Sequence, residues 1–334
     1  MTKSKTFLIT GCAGFIGFHL SKQLLSKNNI VIGVDNLNSY YEVNLKQARL
    51  KLLKEYKNFT FELCSIEDKE AMEKIFLQGQ IDIVINLAAQ AGVRYSIENP
   101  YTFIESNVVG FLNILECCRN YKIDHLIYAS SSSVYGANTK IPFSTKDNVD
   151  YPVSLYAASK RANELIAQTY SHLYDMPITG LRFFTVYGPW GRPDMSYYKF
   201  TNAIMNGEKI QVFNFGQMKR DFTYIDDIVE GIVRLIDKKP ERIQVPAIAS
   251  TAPHKVYNIG NNQPEELMDF ISVIEEKIGK KAIKEFLPMQ PGDVHVTYAD
   301  VEDLENEIGF KPKTNINEGI EKFVDWYKEY YKIE

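Results

Sequence analysis

Apolar positions along the first 130 residues follow two alternating spacings. Short apolar runs at Thr6–Ile9, Ile30–Val34, Phe59–Leu63, Ile83–Asn86 and His125–Ser130 predict strands. Between them, Phe15–Ser26, Glu42–Tyr56, Lys69–Leu77 and Tyr101–Asn120 carry the longer helical pattern. Parallel strands need crossover connections, so this alternation implies an α/β fold: a doubly wound parallel sheet with helices on both faces. Such a sheet takes its ligands beyond the carboxyl ends of its strands. Chemistry is therefore expected just after Ile9, Val34, Asn86 and Ser130.

Farther on, Ser154–Tyr174 predicts a long helix and Ile178–Phe184 another strand. The character changes after Tyr187, where Gly188–Pro193 holds two prolines and two glycines. The helix Asp226–Asp237 and strand Val256–Ile259 are expected to rejoin the sheet. The predicted division is a first domain of residues 1–187, with 223–261 returning to it, and a smaller, interleaved C-terminal α/β lobe of residues 188–222 and 262–334 that binds substrate. Glu241–Ala252 has no clear period and reads as a surface loop.

Composition narrows the function. With 45% hydrophobic and 24% charged residues in 334, the chain can bury a sizeable core. A net charge of −4 with no basic stripe argues against nucleic acid as the partner. No window reaches the roughly 18 apolar residues of a membrane helix, and the apolar run after Lys5 stops at Gly11, too short for a signal-peptide core. Cys12, Cys64, Cys117 and Cys118 lack metal or disulfide-framework spacing, which suits a cytoplasmic protein with reduced thiols. The five histidines form no ligand pattern, and no metal is assigned.

Gly11-Cys-Ala-Gly14-Phe15-Ile16-Gly17 follows the first strand and opens the first helix. Glycines so spaced allow a tight turn, close approach of backbone N–H groups to a pyrophosphate, and close helix–strand packing. Asp35 ends the second strand, where a carboxylate accepts from both hydroxyls of an adenosine ribose and repels a 2′-phosphate; Asn36, not arginine, follows. The fold is thus expected to be Rossmann-type and the cofactor NAD.

Tyr156-Ala-Ala-Ser-Lys160 lies within a predicted helix, so phenol and ammonium share one face a turn apart. The ammonium is expected to lower the phenol's pKa toward that of a general base. Ser130-Ser131-Ser132-Ser133 ends the strand just upstream, where a hydroxyl can bond the reacting oxygen and relay its proton to Tyr156.

Together these residues resemble the extended short-chain dehydrogenase/reductase superfamily, in its NAD-dependent epimerase/dehydratase family, over essentially the whole chain. Further strings bring the resemblance closest to the UDP-glucuronate 4-epimerases: Leu87-Ala-Ala-Gln-Ala-Gly-Val-Arg94, Arg182-Phe-Phe-Thr185, Gly188-Pro-Trp-Gly-Arg192-Pro-Asp-Met, Arg220-Asp-Phe-Thr-Tyr, Tyr257-Asn-Ile-Gly and Met289-Gln-Pro-Gly-Asp293. The resemblance implies Tyr156 as base, Lys160 as its partner on the nicotinamide ribose, and Ser131 and Ser132 as catalytic hydroxyls. Gly11, Gly14, Phe15, Ile16, Gly17, Asp35 and Asn36 would hold the dinucleotide, with Ser65 and Ile66 at the adenine and Leu87, Ala88 and Ala89 flanking it. Arg94, Ser132, Ser133, Thr185, Arg192, Arg220 and Asp293 would bind the UDP-sugar, with Gln211, Val212 and Phe213 along the uracil. It also implies a homodimer through helices 101–120 and 154–174.

Two departures bear on the substrate. Many neutral-sugar epimerases carry asparagine at the place of Thr185 and arginine at that of Gln290. The stretch Ser132-Ser133-Val134 holds no carboxyl, whereas related dehydratases and decarboxylases have an acid there. The expected reaction is therefore UDP-glucuronate to UDP-galacturonate, through a 4-keto sugar and hydride return to the opposite face. Alternatives are another UDP-hexose (UDP-glucose or UDP-N-acetylglucosamine), a decarboxylase, or a non-catalytic NAD-binding sensor. A sensor has no use for Ser131, Tyr156 and Lys160 together.

Overall fold

Every residue of the runs Ile83–Asn86 and Ile178–Phe183 is buried, as befits strands covered on both faces. The computed structural model describes residues 4–244, 251–290 and 293–333. Residues 245–250 of the stretch read as a loop, and Pro291 and Gly292 of the Met289–Asp293 string, lie outside the described residues.

In chain order the strands are β1 (Thr6–Thr10), β2 (Ile30–Asp35), β3 (Phe59–Leu63), β4 (Ile83–Asn86), β5 (His125–Ser131), β6 (Ile178–Phe183), β7 (Thr185–Tyr187), β8 (Lys209–Val212), β9 (Lys219–Tyr224), β10 (His254–Ile259), β11 (Pro264–Glu266) and β12 (Ile283–Phe286). The order β10-β6-β5-β4-β1-β2-β3 makes a seven-stranded, wholly parallel sheet. This is the doubly wound, Rossmann-type arrangement. A three-stranded sheet, β11-β9-β7, and the parallel pair β12-β8 stand apart from it.

The chain reverses its direction of travel across the sheet between β1 and β4, opening a crevice at their carboxyl ends. Thr10 stands level with Val34 on one side and Asn86 on the other, and Ser131 stands level with Phe183. The turns after β1, β2, β4 and β5 therefore emerge on one rim. A buried lattice locks that rim: Arg182 donates from Nε and Nη2 to the two oxygens of Glu164, both at 2.8 Å, and Ser130 donates to Glu164 at 2.6 Å. One apolar core runs from Phe7 and Ile9 through Ile228 and Ile232 to Phe323 and Val324.

The expected helix Tyr101–Asn120 is in fact three pieces: α-helix Pro100–Phe103, a π-helical turn Ile104–Gly110, and α-helix Phe111–Asn120. The wider turn rotates Asn107 inward. Its side chain accepts from Gln90 N–H at 2.8 Å and donates to the Gln90 carbonyl and the Ser159 hydroxyl, both at 3.0 Å. A regular helix forgoes that capture; π turns recur where a side chain is re-aimed. The helix Leu155–Tyr174 starts one residue later than expected because Ser154 is its cap, accepting from Ala157 N–H at 3.1 Å.

Candidate active site

Gly11 has φ +71°, and a β-carbon there would lie 2.9 Å from the Ala88 nitrogen. At Gly17 a β-carbon would run into the Gly11 carbonyl. Only glycine lets the two chain segments close on each other. Phe15 begins the first helix with Gly14 at the cap and no side chain bonded to its free N–H groups, which leaves them for an anion. Asp35 accepts from Ala13 N–H at 3.1 Å and Leu37 N–H at 2.9 Å, so it is held at the turn. The Thr10 hydroxyl donates to Asn86 at 2.6 Å and accepts from Ala88 N–H at 3.1 Å, tying β1 to the Leu87–Ala89 segment. Asn36 donates to Ser65 at 2.9 Å, where Ile66 also faces the space.

All these groups open on one cleft of about 870 Å³. Gly11, Gly14, Phe15, Ile16, Gly17, Asp35, Asn36, Ser65, Ile66 and Leu87–Ala89 line one end. Ser131, Ser132, Ser133, Tyr156, Lys160, Thr185 and Arg192 line its middle. A β-carbon-sized cradle, an uncapped helix start and an acid at the end of β2 fit a dinucleotide.

Burial pushes the Tyr156 phenol up, and a hydrogen bond with Ser131 works in the opposite direction. Lys160 stands one turn farther along the same helix. Its Nζ donates to the Ala129 carbonyl at 2.9 Å and lies 6.0 Å from the centre of the Tyr156 ring. Burial brings the Lys160 ammonium down to about 8. The Ser131 hydroxyl is the largest influence lowering the phenol, followed by Arg192.

Arg192 reaches the cleft as half of an ion pair, with Nε and Nη2 donating to Asp194 at 3.0 and 2.5 Å. Burial works against its charge, but Asp194 outweighs this and holds it above its ordinary value. On the opposite wall Arg94 donates to Asp293 at 3.2 Å and lies over the Phe213 ring at 4.9 Å. Gln211 also lines the cleft. Two residues expected at the substrate do not line this cleft. Val212 is fully buried in the core, because alternate residues of β8 face inward, so its side chain is unavailable to a uracil. Arg220 opens on an adjoining cavity of about 170 Å³ that shares Ser132, Ser133, Thr185 and Asp293 with the main cleft. Burial lowers its pKa, with Asp293 opposing.

Several residues escaped the sequence reading. Buried Arg49 donates to the carbonyls of Ala13 at 2.8 Å, Trp190 at 2.6 Å and Gly191 at 3.0 Å, riveting the glycine turn to the loop that carries Arg192. Lys46 lines the cleft and donates to the Asn38 carbonyl and side chain at 2.7 and 2.8 Å; burial brings it down to about 8. Tyr40 donates to Asp194 at 3.3 Å. For Asp194 a signal was present, an acid two residues after an arginine. Arg49 gives none, since the main-chain carbonyls it holds lie far away in sequence.

Comparison with known proteins agrees with this geometry. The family model described as GDP-mannose 4,6 dehydratase matches residues 8–323. Protein CapI of Staphylococcus aureus is 60% identical over 331 residues, spanning 97% of this chain and 99% of that protein. UDP-glucuronate 4-epimerase 4 of Arabidopsis thaliana is 46% identical over 332 residues, 98% of this chain and 76% of the relative. The crystal structure of UDP-glucuronic acid 4-epimerase from Bacillus cereus, in complex with UDP-glucuronic acid and NAD, superposes with a TM-score of 0.88 at 32% identity, covering 98% of this chain and all of that one (100%).

Proposed function

This chain belongs to the family whose model is described as GDP-mannose 4,6 dehydratase, and from that premise we propose that it is an NAD-dependent 4-epimerase converting UDP-glucuronate to UDP-galacturonate. One observation carries the reading. A single cleft joins the glycine turn to the Tyr156 phenol, the serine run, Thr185 and Arg192, and the run Ser131-Ser132-Ser133-Val134 contains no carboxyl group. Asp194, whose charge bears on the phenol, is tied to Arg192 and is not free to act as an acid. A dehydratase needs such an acid. The Arabidopsis and Bacillus relatives are named for the same reaction.

Bound NAD supplies the acceptor, and later the donor, of the hydride at carbon 4. The protein supplies the rest. Ser131 bonds the reacting oxygen, and Tyr156 takes and later returns its proton. The 4-keto sugar is a β-keto acid, which loses carbon dioxide when its carboxylate turns out of the ring plane. Thr185, Ser132 and the guanidinium of Arg192 hold the carboxylate against that rotation. Incubating the purified protein with UDP-glucuronate and following the anomeric protons by NMR tests the assignment. Galacturonate should appear without added reductant; its absence sinks the reading.

The same reading includes a homodimer and a cytoplasmic location. Supporting the first, Tyr101, Ile104, Leu112, Leu165 and Leu173 expose large apolar side chains along the two helical segments named above. Supporting the second, all four cysteines are unpaired.

A further inference from the structure

Arg192 meets the cleft as part of a three-residue assembly built from two loops. Its Nε and Nη2 engage both oxygens of Asp194, a fork-on-fork geometry that leaves Nη1 for another partner. Tyr40 crosses from the loop after β2 and donates its hydroxyl to the same carboxylate at 3.3 Å. Tyr40 is itself wedged in place, its ring centre 4.8 Å from that of Tyr95 and its hydroxyl where a β-carbon on Gly92 would fall. The pair is still open to the cleft, with side-chain exposures of 25% for Arg192 and 22% for Asp194.

We propose that Asp194 is a positioning residue acting through Arg192: it fixes the guanidinium's direction and balances its charge, so that the sugar carboxylate is gripped and released within each turnover. The proposal rests on the UDP-glucuronate reading above. An epimerase must offer both faces of one keto sugar to the same hydride carrier, so the ring turns over between the two transfers. The carboxylate then leaves its anchor and engages again. A lone guanidinium resists that release, because opposite charges attract about four times more strongly at an effective dielectric of roughly 20 than in bulk water. A guanidinium already balanced by Asp194 keeps directional N–H donors and has little net charge with which to trap the acid.

The same balance reaches the reacting phenol. Among the groups facing Tyr156, burial raises it most and the Ser131 bond lowers it; Arg192 draws it down and Asp194 pushes it back up. Lys160, on the same helix, is turned to the Ala129 carbonyl. Asp194 is faced in turn by Arg192 and Tyr40, and its charge also reaches Lys46.

The test compares NAD-loaded wild type with Asp194→Asn, Asp194→Glu and Tyr40→Phe. Affinities for UDP-glucuronate and UDP-glucose come from calorimetry, and kcat and KM from NMR across the neutral-to-alkaline range. Asp194→Asn should bind UDP-glucuronate roughly ten-fold more tightly while its affinity for UDP-glucose stays within about two-fold. Its kcat should fall, and the acidic limb of kcat/KM should move to lower pH. Asp194→Glu should return toward the parent, and Tyr40→Phe, which keeps the ion pair, should hold the ratio of affinities within about two-fold. Equal weakening for both sugars with an unmoved pH limb is what a merely structural aspartate gives, and it overturns the proposal. Should Asp194→Asn melt early, Asp194→Ser, which also removes the charge, decides by the same ratio of affinities. A wild type that makes no galacturonate defeats the functional reading instead, and the calorimetric ratio still decides the role of Asp194.

Discussion

Tyr156, the proposed base, lines the cleft, and its readiness to accept a proton is set chiefly by burial and the Ser131 hydroxyl. Burial raises its pKa; the bond with Ser131 is the nearest force in the other direction. Ser131→Ala leaves burial unopposed by that bond, so the pKa of the base rises. A base works when deprotonated, and kcat/KM should therefore fall at neutral pH and recover as pH is raised. Tyr156→Phe has nothing left to titrate. Its activity should drop by roughly 10²- to 10⁴-fold at every pH while NAD still binds, as read by cofactor fluorescence beside the NMR assay. A Ser131→Ala profile that merely scales down, with its acidic limb in place, refutes the assigned role of the hydroxyl.

At the scale of elements, the π turn Ile104–Gly110 shows what a single side chain can demand of a helix. Asn107 satisfies both main-chain groups of Gln90, in the segment that follows the cleft-lining Leu87–Ala89, and it reaches Ser159 one turn from Tyr156. Asn107→Ala strands the buried Gln90 N–H and carbonyl, at a cost of about 1–3 kcal/mol. The expected result is a lower melting temperature together with weaker NAD binding, because the loop at the end of β4 loses its tether. Intact NAD affinity in a destabilised variant confines Asn107 to stability. This turn was not legible in the sequence. Ile104, Val108 and Val109 repeat closely enough that regular and widened helices pattern alike, and the choice was made by a tertiary hydrogen bond. The glycine turn, Asp35 and the Ser131–Tyr156 pair were legible because local spacing decides them: a strand end, a helix start, a fixed offset. Arg49 and Tyr40 were not, since each acts through carbonyls or a carboxylate that only the fold brings near. Val212 was misplaced for a simpler reason. A string laid along a ligand ignores that neighbouring residues of a strand point to opposite faces.

For the whole molecule, the surface carries the remaining unbalanced feature. The helices Phe111–Asn120 and Leu155–Tyr174 lie side by side, fastened by Tyr170 donating to Glu116 at 2.6 Å and Arg119 donating to Tyr174 at 3.0 Å. With their polar groups paired to each other, these segments turn Leu112, Leu165 and Leu173 toward solvent, alongside Tyr101 at 80% exposure. A two-fold pairing of this face with its copy gives a self-complementary four-helix contact, and about 1,200–2,000 Å² of total burial suffices for a stable dimer. The wild type should therefore run as a dimer in light scattering at micromolar concentration. Leu112→Asp combined with Leu165→Asp places two carboxylates on each side of the axis and should give a monomer. The glycine turn, the serine run, Tyr156, Lys160 and Arg192 all line the cleft within a single chain. The monomer should accordingly keep its turnover per subunit within a few-fold and lose melting temperature, since the dimer stabilises the native state by mass action. A wild type already monomeric at that concentration removes the dimer from the account and leaves the chemistry of the cleft untouched.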